Sequence, residues 1–447
     1  MRSDAITFAI VGGGFLGMTL ARRLAAAGRA VTLFEAQPAL GGLASAWQLD
    51  DVVWDRHYHV TSPADTYLLA LLRELDLEHE MRWQVTRTGF YVDGTLLSLS
   101  NVAEFLRFPP LGITDKVRLG ATILHASQIK DWRPLEEITA VEWLTRWCGR
   151  RTVEKIWLPL LRAKLGDNSH KASAAFIWAI VARMYAARRT RAKRELFGFV
   201  PGGYARVLEH MGRRLEADGV RVELQRPVSR ISSSGDGVQI DLPDGPSHRF
   251  DNVVLTAAAP LCTQVVDGLT PSESARLEGV EYQGIICASL LLRRPLAGYY
   301  VTNITDGWVP FTAVIEMSAL VGTETFGGRS LVYLPRYLPP GHPDFALSDD
   351  EIRARFIEAI ARMYPHFSHD DVAAFRVSRT RYVFPISTLH YSAHVPPLAT
   401  SLPGVYLVNS SQIVNGTLNV NETLQLAHRA ADHLVHVGGR ARELLVS

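Results

Sequence analysis

Residues 8–35 read FAIVGGGFLGMTLARRLAAAGRAVTLFE, and this stretch constrains the fold more than any other. A short apolar, β-branched run leads directly into glycines spaced GxGxxG at Gly12, Gly14 and Gly17, as expected of a buried parallel strand followed by a tight turn and a helix. Gly12 permits the turn, Gly14 lets the backbone approach a pyrophosphate, and Gly17 allows the helix to pack closely on the strand. The helix start, with Phe15 and Leu16 in its first turn, supplies amide donors and a positive dipole. The helix stops at Gly28, and a second strand, AVTLFE, ends in Glu35, placed to bind ribose hydroxyls with Ala36 beside it. A strand, glycines, helix, second strand and terminal acid in this order predict a dinucleotide site.

A chain of 447 residues, 47% hydrophobic and 21% charged, can bury a large core and is expected to split into two domains. The net charge of +2 excludes strong global attraction to nucleic acid. Cys148, Cys262 and Cys287 lie far apart without ligand spacing, so neither a disulfide framework nor a metal site is expected. No secretory pattern follows the N-terminal MRSD, which makes cytoplasmic residence the expectation. No apolar run reaches the roughly 18 residues of a spanning helix.

The stretch ALGGLAS follows the acid and carries the glycine pair Gly41 and Gly42, then Leu43 and Ser45. This resembles the second fingerprint of the amine oxidase, phytoene desaturase and protoporphyrinogen oxidase superfamily of flavoproteins, and the resemblance implies FAD as cofactor. Physically, a second glycine turn beside the pyrophosphate adds amide contacts and leaves room for an extended ligand. The superfamily commonly has arginines beside this pair, whereas Leu40 and Leu43 stand here, so such contacts must come from elsewhere or be absent.

Three later segments match the same superfamily in its own order. FGFVPGGYARVLEHMGRRLEADGVRVELQRPVSRI is expected to give a glycine turn, an amphipathic helix and a strand carrying Val228; the resemblance puts the Val228 backbone against adenine. FDNVVLTAAAP reads as another buried strand. LPGVYLVNSSQIVNGTLNVNETLQLAHRAADHL gives a strand, a loop and a helix with Asn421 as the expected N-cap. By resemblance, this helix start, with Asn419 and Val420, points at the flavin and Asn409 faces its phosphate or ribityl region. The expected fold is α/β: a Rossmann-like FAD-binding domain of the glutathione-reductase type, built from residues 1–75, 196–280 and 395–447. An interleaved α+β substrate domain takes 76–195, largely helical, and 281–394, with strands in GIICASLLLRRPL, GWVPFTAVIEMSAL and SLVYLPRY and a helix in SDDEIRARFIEAIARMYP.

Candidate catalytic residues follow from residue chemistry. His57 and His59 in DRHYHV have strand spacing of two and are expected to face the same side near the flavin; they handle protons or are structural. Glu316 lies in an apolar strand and needs a partner, either a core arginine such as Arg381 or the substrate. Lys164 neutralises an anionic substrate, holds a water near flavin N5, or snorkels from a helix end. Tyr333, Tyr337, Tyr382 and Tyr391 line the cavity or belong to the core.

A basic run of Arg188, Arg189, Arg191, Lys193 and Arg194 follows the apolar helix AAFIWAIVARMY. It is either a solvated face or a site for a diphosphate or an anionic membrane, the last admitting a lipid substrate. The chain most resembles the protoporphyrinogen-oxidase-like branch. The implied activity is hydride transfer from an organic, apolar or lipid-linked small-molecule substrate to flavin N5, with no nucleic acid partner. Two alternatives stay open: a flavin-dependent isomerase of the UDP-galactopyranose mutase kind, and a non-catalytic FAD-binding or lipid-carrier protein.

Overall fold

The computed structural model describes residues 5–187, 195–414 and 416–443, without the side chains of 184, 186, 187 and 437–443. The basic run 188–194 lies outside the described residues. A parallel five-stranded sheet has Thr7–Val11 at its centre, flanked by Asn252–Leu255 and Ala30–Phe34, with Val405–Leu407 and Arg221–Glu223 at the edges. Phe8, Ile10 and Leu33 are buried, the continuous apolar pattern of a strand covered on both faces. One cover is the helix Phe15–Ala26, whose Met18, Leu20, Ala21 and Leu24 meet Leu424, Ala427 and Leu434 of the C-terminal helix Val420–Glu443. Each such leucine, fully buried, contributes about 1.5–3 kcal/mol.

A second, mixed sheet of seven strands runs Val372–Pro385, Tyr282–Leu292, Ser330–Leu338, Ala313–Glu316, Val301–Ile304, Thr88–Val92 and Thr95–Ser98. Only the pairing of Val301–Ile304 with Thr88–Val92 is parallel. The alternation read in GIICASLLLRRPL gives the strand Tyr282–Leu292, which is buried along all eleven residues, Gln283 and Ser289 included, between two paired neighbours. The 14-residue strand Val372–Pro385 beside it shows no such alternation in its sequence. Ser348 and Glu351 form a capping box that starts the helix Asp349–Met363, which lays Ile352, Phe356 and Ile360 on this sheet. Helices Val102–Arg107, Ile113–Gln128, Ala140–Cys148, Leu158–Leu165 and Ala174–Ala187 form the expected helical layer.

Val228 departs from expectation. It lies in the loop between Arg221–Glu223 and Arg230–Ser234, half-buried against the core cluster that contains Phe34 and Ile231, where the flanking amides of Arg226 and Ser229 donate to the carbonyls of Glu35 and Asp241.

Candidate functional site

The glycine turn, the acid and the glycine pair meet at the end of the central strand. Gly12 holds φ of +114°, and a Cβ at Gly17 would fall 1.9 Å from the Gly12 carbonyl oxygen, so both positions demand glycine. At Gly14, the N-cap, an added Cβ would meet nothing within 4 Å, and no side chain caps the helix. Its first-turn amides therefore face an open space suited to a phosphate. Phe15 and Leu16 put their side chains in the core, Phe15 edge-on to Tyr204 at 5.6 Å, so only their amides can serve a ligand. Gly41, at φ +128°, donates its N–H to the Gly13 carbonyl at 2.8 Å, and Gly42 comes so close that a Cβ on it would lie 3.2 Å from Gly14 Cα. Buried Glu35 accepts the amides of Gly13 at 2.7 Å and Gln37 at 2.8 Å. Each oxygen keeps a lone pair for a ribose hydroxyl. Ala36 is exposed beside it and Leu43 is half-buried.

The arginine missing from the glycine pair comes from elsewhere. Arg56 donates Nη2 to the Gly42 carbonyl at 3.1 Å, while its buried Nε has no partner among the described residues. The stretch DRHYHV held this residue in plain view, since a cation one position after a buried strand end is unusual.

The histidines are not on a strand: Val52–Asp55 ends before them because Asp55 turns inward to accept the Tyr204 amide at 2.7 Å, at the start of the helix Gly203–Ala217. His57 donates Nδ1–H to the Leu43 carbonyl at 3.0 Å, and its Nε2 lies 3.0 Å from Ser378 Oγ. Both ring nitrogens are thus engaged, and burial pushes His57 down to about 3. His59 donates Nδ1–H to the His57 carbonyl at 2.9 Å, stands 5.0 Å from the Tyr204 ring, and is pushed down by burial to about 4. Its Nε2 alone keeps a free lone pair among the described contacts. Asp55 is pushed up to about 8 by burial, against the pull of the Tyr204 and Ala205 amides. Sequence reasoning passed over this carboxyl, though a charged residue closing a buried strand was the signal.

At the other end, Asn419 rather than Asn421 caps the C-terminal helix, accepting the Glu422 amide at 3.0 Å. Asn421 is already inside the helix beside Val420, and its Oδ1 accepts the amides of Tyr67 at 2.9 Å and Leu68 at 3.3 Å, closing the start of the helix Thr66–Glu74. Asn409 is buried and folds its Oδ1 back onto Ser411 N and Oγ, at 3.0 and 2.6 Å.

Lys164 is half-buried at the end of Leu158–Leu165, with Nζ 5.3 Å from the Tyr337 ring centre and 5.5 Å from that of Phe384. Among the described contacts it has no carboxylate partner, and burial pushes it down to about 8. Tyr337 shares a 2.6 Å hydrogen bond with Tyr58, the neighbour of His57, which ties this cluster to the glycine pair. Glu316 is elsewhere: its oxygens accept the amides of Leu296 at 3.0 Å, Ala297 at 3.2 Å and Gly298 at 2.9 Å, and the Ser330 hydroxyl at 3.2 Å. Arg381 instead donates to the Pro340 carbonyl and covers Phe345. Tyr333, fully buried, donates to the Asp55 carbonyl, and Tyr391 to that of Ser411. Tyr382, half-buried, packs edge-on against Tyr282, so Tyr333 and Tyr391 are core and Tyr382 lies at its margin.

Comparison with known proteins gives the family and the fold. The profile of the flavin containing amine oxidoreductases matches residues 17–435. The chain is 23% identical to a 15-cis-phytoene desaturase of Synechococcus elongatus over 404 residues, 82% of each chain. It is 26% identical to the flavin-containing amine oxidase B of Mus musculus over 257 residues, 53% of this chain and 46% of that one. Among solved structures, a protein of Exiguobacterium sp. 255-15, provisionally described as a protoporphyrinogen oxidase, superposes with a TM-score of 0.78 at 18% identity, covering 97% of this chain and 99% of that one. Reduced UDP-galactopyranose mutase superposes at 0.73 with 14% identity, over 97% and 96%. These structural likenesses speak for the fold. The chain belongs to the flavin-containing amine oxidoreductase family and is an FAD-dependent oxidoreductase.

Proposed function

We propose that this oxidoreductase acts on an apolar or lipid-linked small molecule bound between the glycine pair and the helical layer. The observation that carries this is the aromatic wall of Tyr337 and Phe384 beside Lys164, with Tyr58 hydrogen-bonded to Tyr337, and an ammonium that has two aromatic faces and no carboxylate partner among the described contacts. Such a wall excludes water and prefers an apolar body, and the lone ammonium selects a substrate carrying one anionic or electron-rich end. When bound, FAD accepts hydride at N5.

The residues assigned to the cofactor are Gly12, Gly14, Gly17 and the first-turn amides for pyrophosphate, Glu35 for ribose, and Gly41, Gly42 and Arg56 for the second turn. Val228, Asn409, Asn419 and Val420 are also kept for the cofactor, on the resemblance of their motifs. Of the four catalytic candidates, Lys164 is the one this proposal keeps for charge, and His59, with its open Nε2, is the one it keeps for proton handling. His57 is assigned to positioning and Glu316 to turn structure. The domain division of 1–75, 196–280 and 395–447 against 76–195 and 281–394 is part of the same proposal. In its support, all strands of the parallel sheet fall in the first set and all strands of the seven-stranded sheet in the second.

The test is anaerobic titration of the purified, FAD-loaded protein with apolar, lipid-linked and nucleotide-sugar candidates while the oxidised flavin band is followed. Bleaching by an apolar candidate supports the proposal. Conversion of a nucleotide sugar by pre-reduced protein alone, without net redox change, overturns it in favour of an isomerase. Lys164→Met should slow flavin reduction about 100-fold. If the ammonium is the working form, the wild-type rate falls as pH rises through about 8, and the variant loses that inflection.

A further inference from the structure

The helical layer shows an inverted surface. On Ile113–Gln128 the buried face is Lys116, whose ammonium donates to the Leu106 carbonyl, with Leu119, Thr122 and Ala126, but the outward face is apolar. Ile113 is 81% exposed, Val117 66% and Leu124 51%, with Gly120 and Ala121 exposed between them. This i, i+4, i+7, i+8, i+11 spacing puts them in one stripe. The preceding helix adds Val102 and Leu106, each 62% exposed and one turn apart. Exposed apolar residues gathered on two consecutive helices are not the scattered singletons of an ordinary surface.

The rim has the charge of a surface that meets anions. Arg107, Arg118 and Lys130 are exposed around the stripe. Residues 101–130 carry two carboxylates, and both are occupied locally: Glu104 accepts from Ser98 Oγ and the Ser100 amide, each at 2.7 Å, and Asp115 accepts the Gly112 amide at 3.1 Å. Trp147, 37% exposed, stacks on His125 at 4.0 Å beside the same helix, the amphipathic kind of side chain that sits at headgroup level.

We infer that Val102, Leu106, Ile113, Val117 and Leu124 form a monotopic docking face for an anionic lipid leaflet, with the apolar side chains in the acyl boundary and the arginines and lysine at the headgroups. No helix among the described residues is long and apolar enough to cross a membrane, so attachment here is to one leaflet. The buried side of the same layer packs Leu119 and Ala126 in one core with Leu161, Leu165 and Phe384. The docking face therefore backs directly onto the wall that carries Lys164. The inference deepens the apolar-substrate proposal, but vesicle binding is read without turnover, so the two fail separately.

The test is flotation of the FAD-loaded protein with phosphatidylcholine vesicles, with and without phosphatidylglycerol, at low and high salt. The wild type should float with the anionic vesicles and less so at high salt. Ile113→Glu with Val117→Glu should lower the bound fraction about tenfold or more. Arg107→Glu with Lys130→Glu should lower it on anionic vesicles only. Val53→Glu, at an exposed apolar position on the strand Val52–Asp55, should leave it unchanged. Flavin content and unfolding temperature check that each variant folds. The inference is overturned if the wild type floats with no vesicle, if both double variants float as well as wild type, or if the face proves to join two copies, seen as a wild-type dimer that the Ile113/Val117 variant splits without any vesicle binding.

Discussion

A Cβ placed on Gly17 would lie 1.9 Å from the carbonyl oxygen of Gly12, whereas one placed on Gly14 would touch no protein atom. The two glycines therefore serve different masters, one the packing of helix on strand and the other the ligand. Gly17→Ala should destabilise the protein by about 3 kcal/mol, because backbone must move to admit a methyl group. Gly14→Ala should leave the apoprotein's unfolding temperature unchanged and lower FAD occupancy about tenfold by filling the space against the pyrophosphate. Absorbance of bound flavin and thermal unfolding of flavin-stripped protein separate the two effects. Equal damage to stability in both variants would count against the assignment of Gly14 to the cofactor.

Glu316 offers a similar separation. Its two oxygens accept three consecutive turn amides and a hydroxyl. Glu316→Gln turns one acceptor into a donor that faces other donors, and should cost about 2–3 kcal/mol. The rate of flavin reduction per bound FAD should stay at the wild-type value, which stopped-flow measurement checks. A selective loss of rate with intact stability would return this carboxylate to the catalytic group.

What could be read from the sequence follows the range of the interactions. The strand, glycine turn, helix and acid at 7–35 are set by neighbours in the chain, and so were legible. Asn419 and Asn421 show the limit. Asn419 stands three residues before Glu422, the spacing of an N-terminal cap, and the expectation of Asn421 as the cap passed over that local signal. The role of Asn421 depends on the amides of Tyr67 and Leu68, more than 350 positions away, and no local pattern encodes it. Glu316 is alike, since its partners at 296–298 belong to a turn that only the folded sheet brings under it. The histidines were given strand spacing because DRHYHV continues an extended stretch, but the strand stops where Asp55 finds the helix at Gly203.

Three buried groups near the glycine pair set a pH optimum for stability. His57 and His59 are held at about 3 and about 4, below 6.5, and Asp55 at about 8, above 3.8. From pH 6.5 down to about 4, the unfolded chain binds protons that the folded histidines do not, so their part of the stability falls as pH falls. Asp55 has the opposite sign: between 3.8 and about 8 the folded carboxyl holds a proton that the unfolded one releases, so its part falls as pH rises. Two histidines outweigh one carboxyl on the acid side, and the carboxyl acts alone above 6.5, which puts the maximum of their joint contribution near pH 6.5. Each uncompensated proton gives a slope of about 1.4 kcal/mol per pH unit. His57→Gln should flatten the acid limb relative to wild type, since His59 and Asp55 then cancel. Asp55→Asn should steepen that limb and abolish the alkaline one. Urea unfolding at pH 5, 6.5 and 8, with FAD in fixed excess and each variant compared with wild type, measures both changes; an acid limb of His57→Gln as steep as that of wild type would mean that His57 is charged in the folded protein.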